Sequence, residues 1–244
     1  MSAFARFAAL HVPGDPLVLH NVWDAGSARA VASAGAPAVA TGSWSVAAAY
    51  GVEDGEALPL DDALANARRI VRAVDVPVTI DFEGGYAVEP ADTAGNVARL
   101  AGTGAVGCNL ENRVVGGEGM HPTGRQAARI AAVRGAVGAD FFLNARTDLF
   151  LQTPAELHAS LVDEAIARGR AYAEAGASGF FVPGLVDPDP IGRIAAAVPV
   201  PLNVMAVPGG PDRTTFAGAG VARVSHGPFP YRRMLAWLAT EVAG

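Results

Sequence analysis

VPVTIDFE, residues 76–83, is the stretch on which the fold turns. Val76, Val78 and Ile80 build a short strand-forming run that ends in two acids, Asp81 and Glu83. Near-continuous hydrophobicity, without polar alternation, marks a strand buried on both faces. The design recurs downstream. AVGCNLE (105–111) ends in Glu111, and DFFLNARTD (140–148) ends in Arg146 and Asp148. Buried strands that each finish in charge are how a (β/α)8 barrel assembles a site at one mouth.

Five more runs surround these three: LVLHNVW (17–23), PAVAT (37–41), SGFFVPG (178–184), VPLNVMA (200–206) and VARVSHG (221–227). Most are followed by Ala- and Arg-rich stretches of helical spacing. Strand then helix, repeated, predicts a parallel sheet. Eight such units in 244 residues fit one (β/α)8 TIM-type barrel, a single domain over residues 1–244, with no Pro- and Gly-rich linker dividing it. The helix over 60–74 carries Asp61 and Asp62 near its N-terminus and apolar residues at Leu64, Ala67, Ile70, Val71 and Val74. A longer helix spans 157–175, with Gly176 as its C′ residue, and further helices cover 25–33 and 230–242. Two connections are long. One is 42–59; the other, RVVGGEGMHPTG (113–124), is Gly-rich and reads either as a lid or as a plain surface loop.

Composition prunes the chemistry. Hydrophobic residues make up 51% of the chain, enough for a large core, and the net charge of −6 without a basic block argues against nucleic acid. No apolar stretch is long enough to span a bilayer, and the N-terminus lacks a secretory pattern, so a cytoplasmic protein is expected. The single cysteine, Cys108, permits no disulfide within the chain and reads as a small core residue. All 18 basic residues are Arg. Schiff-base, pyridoxal phosphate and Walker-loop chemistry each need a Lys and are excluded. An enolate made here must be stabilised by a metal or by Arg.

Asp81 and Glu83 stand two apart, so on a strand both carboxylates face the mouth. With Glu111 beside them, three acids would repel unless neutralised. A hard cation with oxygen ligands answers this, and magnesium keeps several waters while using few carboxylates. The other reading is that these acids cap the following helices. Arg146 can fork a carboxylate or phosphate, or form an ion pair with Glu111 or Asp148. Gly42-Ser43-Trp44 offers successive amides and a hydroxyl as a small anion nest. Asn203 can bond a ligand or a neighbouring strand end. Asp24 is a site residue or a helix N-cap. His20 reads as packed, and His121, on the long loop, as the histidine to watch for acid–base work.

NVWDAGSA, TGSWSVAAAYGVED, TIDFEGGY, GCNLEN, FLNARTD, RAYAEAGASGFFVPG and VPLNVMA, taken in order, resemble the isocitrate lyase/phosphoenolpyruvate mutase superfamily over nearly the whole chain. The resemblance implies a (β/α)8 barrel, Mg²⁺ and a small 2-oxo carboxylate ligand. It makes Asp81 the direct metal ligand, with Glu83 and Glu111 holding the metal through water. Asp54 becomes another acid of that water shell and, with Arg146, a catalytic residue. Ser43 and Trp44 fall at the carboxylate-binding turn, and Arg146 contacts substrate oxygens. A homo-oligomer, dimer or tetramer, is implied through exchange of C-terminal helices. The loop after the fourth strand lacks the Lys-x-Cys-Gly-His motif of isocitrate and methylisocitrate lyases. These features predict a Mg-dependent lyase that forms an enolate by C–C cleavage or oxaloacetate-type decarboxylation. The alternatives are C–P chemistry of the phosphonopyruvate mutase/hydrolase kind and a non-catalytic 2-oxo-acid-binding protein.

Overall fold

The run Leu17–Val22 both opens and closes the barrel. The computed structural model describes residues 1–243. Its strands are β1 (Leu17–Leu19), β2 (Asn21–Val22), β3 (Val39–Thr41), β4 (Val78–Asp81), β5 (Gly107–Glu111), β6 (Phe142–Arg146), β7 (Gly179–Phe181), β8 (Leu202–Met205) and β9 (Arg223–Ser225). They pair in the order β1-β9-β8-β7-β6-β5-β4-β3-β2, all parallel. β1 pairs with β9 and β2 with β3, yet both are halves of one run. The nine segments are therefore eight barrel strands, as the eight apolar runs predict. The break falls at His20, whose ring is exposed and stacked 4.3 Å from that of His226 rather than packed in the core. Asn21 secures the junction. It donates to the Thr41 carbonyl (2.7 Å) and accepts from the His226 and Gly227 amides (2.9 and 2.8 Å).

The connecting helices follow local chemistry. Asp24 is the N-cap of Ala25–Ser33, accepting from the Ser27 amide at 2.7 Å in a capping box, so its capping role is realised. The helix predicted over 60–74 runs Leu60–Val71. The one predicted over 157–175 begins as a 3₁₀ turn, Ala155–Leu161, and becomes α-helical only at Val162–Glu174. Gly176 then takes φ +100°, a left-handed stop that suits glycine. No helix among the described residues is long and apolar enough to cross a membrane.

Two kinds of packing hold the barrel. Outward-facing side chains of the strands, such as Val39, Ile80, Leu110, Leu143, Phe180 and Val204, join the helices in one large core. Inside, the helix Ala3–Ala9 closes the N-terminal end. Phe7 packs there with Leu17, Leu19, Ala38, Ala40, Val106 and Phe142, and His11 stacks on Phe142 at 4.2 Å. Burial holds the His11 imidazole down to about 3, helped by the nearby Arg223 charge.

Above this plug the interior turns polar, where barrels of this kind usually carry bulky branched residues. Asn144 donates to Asn109 (2.8 Å) and Asn203 (3.1 Å). Asn203 donates to the Arg223 carbonyl and the Ser225 hydroxyl. Arg223 donates to Asn109 at 3.3 Å. These buried amides satisfy one another from strand to strand, which makes a polar core tolerable.

Gly107 and Gly179 let Phe142 enter the barrel. A Cβ on Gly107 would meet the Phe142 carbonyl and lie 2.8 Å from its Cβ; one on Gly179 would lie 2.8 Å from the Asn144 side-chain oxygen. Gly107→Ala is expected to cost about 1–3 kcal/mol through overpacking, at about 2–4 °C of melting temperature per kcal/mol. Thermal unfolding checks this; an unchanged transition would show that the contact relaxes freely.

Candidate active site

β3, β4, β5 and β6 bring their C-terminal residues to one mouth. Asp81 closes β4 with its carboxylate fixed from two sides. Ser43 donates its amide (3.1 Å) and hydroxyl (3.0 Å) to one oxygen, and Asn109 donates to the other (3.1 Å). The Asp81 amide donates to the Thr41 hydroxyl. Asn109 orients its N–H₂ toward Asp81 because its oxygen already accepts from Asn144 and Arg223.

Ser43 begins the short helix Ser43–Ala49 with Gly42 at the N-cap. The predicted anion nest is therefore turned partly inward: the Ser43 amide and hydroxyl serve Asp81. Trp44, the next residue, lines the cavity, and the Arg232 guanidinium lies over its ring at 4.4 Å.

Glu83 reaches the site by a different route from the one its spacing predicts. β4 ends at Asp81, and Glu83 takes a left-handed backbone, φ +51°. Phe82 turns into the outer core, and the Glu83 carbonyl still accepts from the Glu111 amide at 2.8 Å. Its carboxylate accepts from the Gly55 and Glu56 amides, both at 3.0 Å. In return the Glu56 carboxylate accepts from the Tyr86 amide at 2.7 Å. Two carboxylates thus bolt the loop carrying Asp54 to the loop after β4.

Arg146 is the counter-charge. Its Nε and Nη2 donate to the two oxygens of Asp148 (2.6 and 3.1 Å), and its Nη1 lies 2.9 Å from Glu111 and 3.9 Å from Asp81. Burial works against the guanidinium's charge, but Glu111, Asp148 and Asp81 together outweigh it and hold Arg146 protonated. Asn112, fully buried, accepts from the Asp148 amide at 3.0 Å and so seats the carboxylate that forks Arg146.

A cavity of about 200 Å³ opens above these residues. Ser43, Trp44, Asp54, Asp81 and Arg146 line it. Glu83 and Glu111 stand behind it, buried. Asn203 is 1% exposed with its amide engaged inside the barrel, so it supports the site from below and does not form its wall. His121 is buried away from the cavity, and burial lowers its pKa, helped by Arg129 and Arg125. Burial pushes the Cys108 thiol far up, consistent with a core residue. Asn109 is the site residue that motif reading passed over. Its signal was present: it precedes Glu111 by two and shares its face of β5.

The loop 113–124 is a compact turn. Arg113 and Met120 form an antiparallel bridge, and the Val114 amide donates to the Gly119 carbonyl at 3.0 Å. Val115 packs against Gly84, where a Cβ would lie 2.7 Å from it.

The chain matches the family model described as phosphoenolpyruvate phosphomutase over residues 7–244. A solved structure from Burkholderia cenocepacia J2315, provisionally named a phosphonomutase, shares 49% identity and superposes with a TM-score of 0.96, covering 99% of this chain and 97% of its own. An uncharacterized protein of Mycobacterium tuberculosis H37Rv is 35% identical over 228 residues, 92% of this chain and 83% of its own. The oxaloacetate decarboxylase of Ectopseudomonas mendocina is 30% identical over 187 residues, 74% of this chain and 62% of its own.

Charge at the mouth has a measurable signature. Burial first, then the Asp54 and Asp81 carboxylates, push Glu83 up from 4.5 to about 8, against the pull of the Gly55 amide. Burial likewise raises Glu111 well above the usual range, although Arg146 pulls it down. A carboxyl raised on folding keeps its proton in the native state while the unfolded chain releases it. Its contribution to stability therefore falls as pH rises through that window. Metal-free protein is expected to lose stability from pH 4.5 to about 8 through this group, and Glu83→Gln to flatten the slope. Urea midpoints in EDTA across the window test it; parallel slopes for the two proteins would contradict it.

Proposed function

The chain belongs to the isocitrate lyase/phosphoenolpyruvate mutase superfamily, and from that footing we propose that it is a magnesium-dependent lyase of a small 2-oxo carboxylic acid. The observation that carries this reading is Asp81, clamped by Ser43 and Asn109 and facing Arg146 across one cavity.

The donor set fits a hard cation. Asp54 and Asp81 offer carboxylate oxygens at the cavity wall, with Glu83 and Glu111 behind them, and Arg146 neutralises only part of this charge. Asp81 would hold Mg²⁺ directly, and Asp54, Glu83 and Glu111 through water. When bound, the ion supplies Lewis-acid stabilisation of negative charge on the substrate's 2-oxo oxygen.

The chain's own residues do the rest. Arg146 has five N–H donors. Two are donated to Asp148 and Nη1 is ion-paired with Glu111, which leaves N–H groups on Nη1 and Nη2 to serve substrate oxygens. Fixed in this way, the guanidinium is preorganised for charge that develops as the bond to carbon 3 breaks. With oxaloacetate, that bond's electrons form the pyruvate enolate as CO₂ leaves, and one proton on carbon 3 completes pyruvate. The decarboxylation reading suits a site whose His121 points away, because solvent supplies that proton.

Assembly enters the same reading. The final helix, Phe229–Ala243, leaves Leu235, Trp237 and Leu238 exposed. Beside it the outer face of β1 and β9 is an open groove lined by Val18, His20, Phe216 and Val224. A barrel normally covers such a face with a helix. The final helix of a second copy fits this groove, giving a homo-oligomer.

Protein-dependent pyruvate formation from oxaloacetate with Mg²⁺, above the metal-only background, is the expected result. Asp81→Ala should abolish it and Arg146→Ala should lower it by about 10²–10³-fold or more. Full activity in Arg146→Ala would remove the assignment. In sedimentation velocity, Trp237→Glu with Leu238→Glu should shift the protein toward monomer. An unchanged mass would rule out exchange through this helix.

A further inference from the structure

The cavity wall divides by strand. One side, at the ends of β3 to β6, is polar: Ser43, Asp54, Asp81, Asn109 and Arg146. The other carries Leu151, Phe181, Pro183, Met205 and Pro228, and its polar residues, Asn21 and Ser225, are engaged by Thr41, His226 and Asn203, with Trp44 between the two sides. Resting on the 2-oxo-acid reading above, we propose that the substrate carries on carbon 3, beside the carboxylate that leaves, an uncharged alkyl or aryl tail received by the β7–β9 side of the cavity.

Charge accounting supports this. Among the described residues Arg146 is the one cation on the wall, and Asp148, Glu111 and Asp81 already surround it. Arg232 lies over the Trp44 ring and is not part of the wall. A second anion on the tail would leave water for Phe181 and Met205 with no counter-charge, a costly transfer. The polar side is already rich in acids and would repel it.

Geometry sets the direction. Phe181 stands beside Arg146 in the β6–β7 register, with the guanidinium 6.0 Å from its ring. A head held at Asp81 and Arg146 therefore projects its next carbons over Phe181 toward Met205. Gly227, at φ +52°, leaves room for Met205, whose side chain a Cβ there would strike. Leu151 is 46% exposed at the rim, a large apolar side chain that an apolar tail would cover. Each methylene so buried is worth about 0.8 kcal/mol, or roughly four-fold in affinity.

The test is equilibrium binding of three non-cleaved acids to the full chain in Mg²⁺: pyruvate, 4-methyl-2-oxopentanoate and 2-oxoglutarate. The last two are similar in length and differ in the charge of the tail. The branched acid should bind at least about ten-fold tighter than either of the others, in line with burial of several carbons. Leu151→Arg, at the exposed rim where folding is spared, should erase the preference by tightening 2-oxoglutarate. If pyruvate binds but the branched acid binds no tighter than pyruvate or 2-oxoglutarate, the tail proposal is overturned and the oxo-acid head stands. If none of the three binds, both fall.

Discussion

Arg146 is the constraint on which the mouth depends. Asp81, Glu111 and Asp148 surround one guanidinium, and Asp54 and Glu83 stand nearby, where Asp54 and Asp81 help hold the proton on Glu83. Removing one member of a buried ion cluster costs several kcal/mol, because the charge left behind has no partner. The barrel can bury these acids only by committing this arginine to them. The same commitment fixes the guanidinium's direction, so the interactions that make the acidic mouth foldable also aim its remaining donors at a ligand. Structural ion pair and substrate contact are two uses of one side chain here.

The arrangement below Arg146 serves the same end. Asn109 can present its amide to Asp81 in only one sense, because Asn144 and Arg223 occupy its oxygen. The order of the polar interior is thus transmitted upward as the orientation of a single carboxylate. A hydrocarbon interior would leave one Asp81 oxygen without the donor that Asn109 supplies, with Ser43 alone holding the carboxylate. The apolar plug of Phe7 and Phe142 keeps water from reaching this network from the opposite end.

Much of this was legible in the sequence, and the remainder was hidden for identifiable reasons. Eight apolar runs gave away eight barrel strands, and the charges closing them marked the mouth. Asp81, Arg146, Ser43, Trp44 and Asp54 do meet at one cavity. The polar ladder was invisible because Asn109, Asn144 and Asn203 are separated by 35 and 59 residues and each sits singly in an apolar strand. His20 read as packed because nothing local marks a break in LVLHNVW; the break arises where one strand must pair with β9 below and β3 above. Glu83 stands behind the cavity wall and does not share the face of Asp81, since a period-two rule assumes a strand that has already ended. Its carboxylate is held by the amides of Gly55 and Glu56, which are distant in sequence.

The paired carboxylates of Glu83 and Glu56 have a dynamic consequence. Each accepts from backbone amides of the other's loop, so neither loop can lift while the other stays seated. Opening must break both sets of bonds at once and free Asp54 with them. The two loops are expected to open as one unit, so that amide hydrogen exchange at Gly55, Glu56 and Tyr86 would share a single opening free energy.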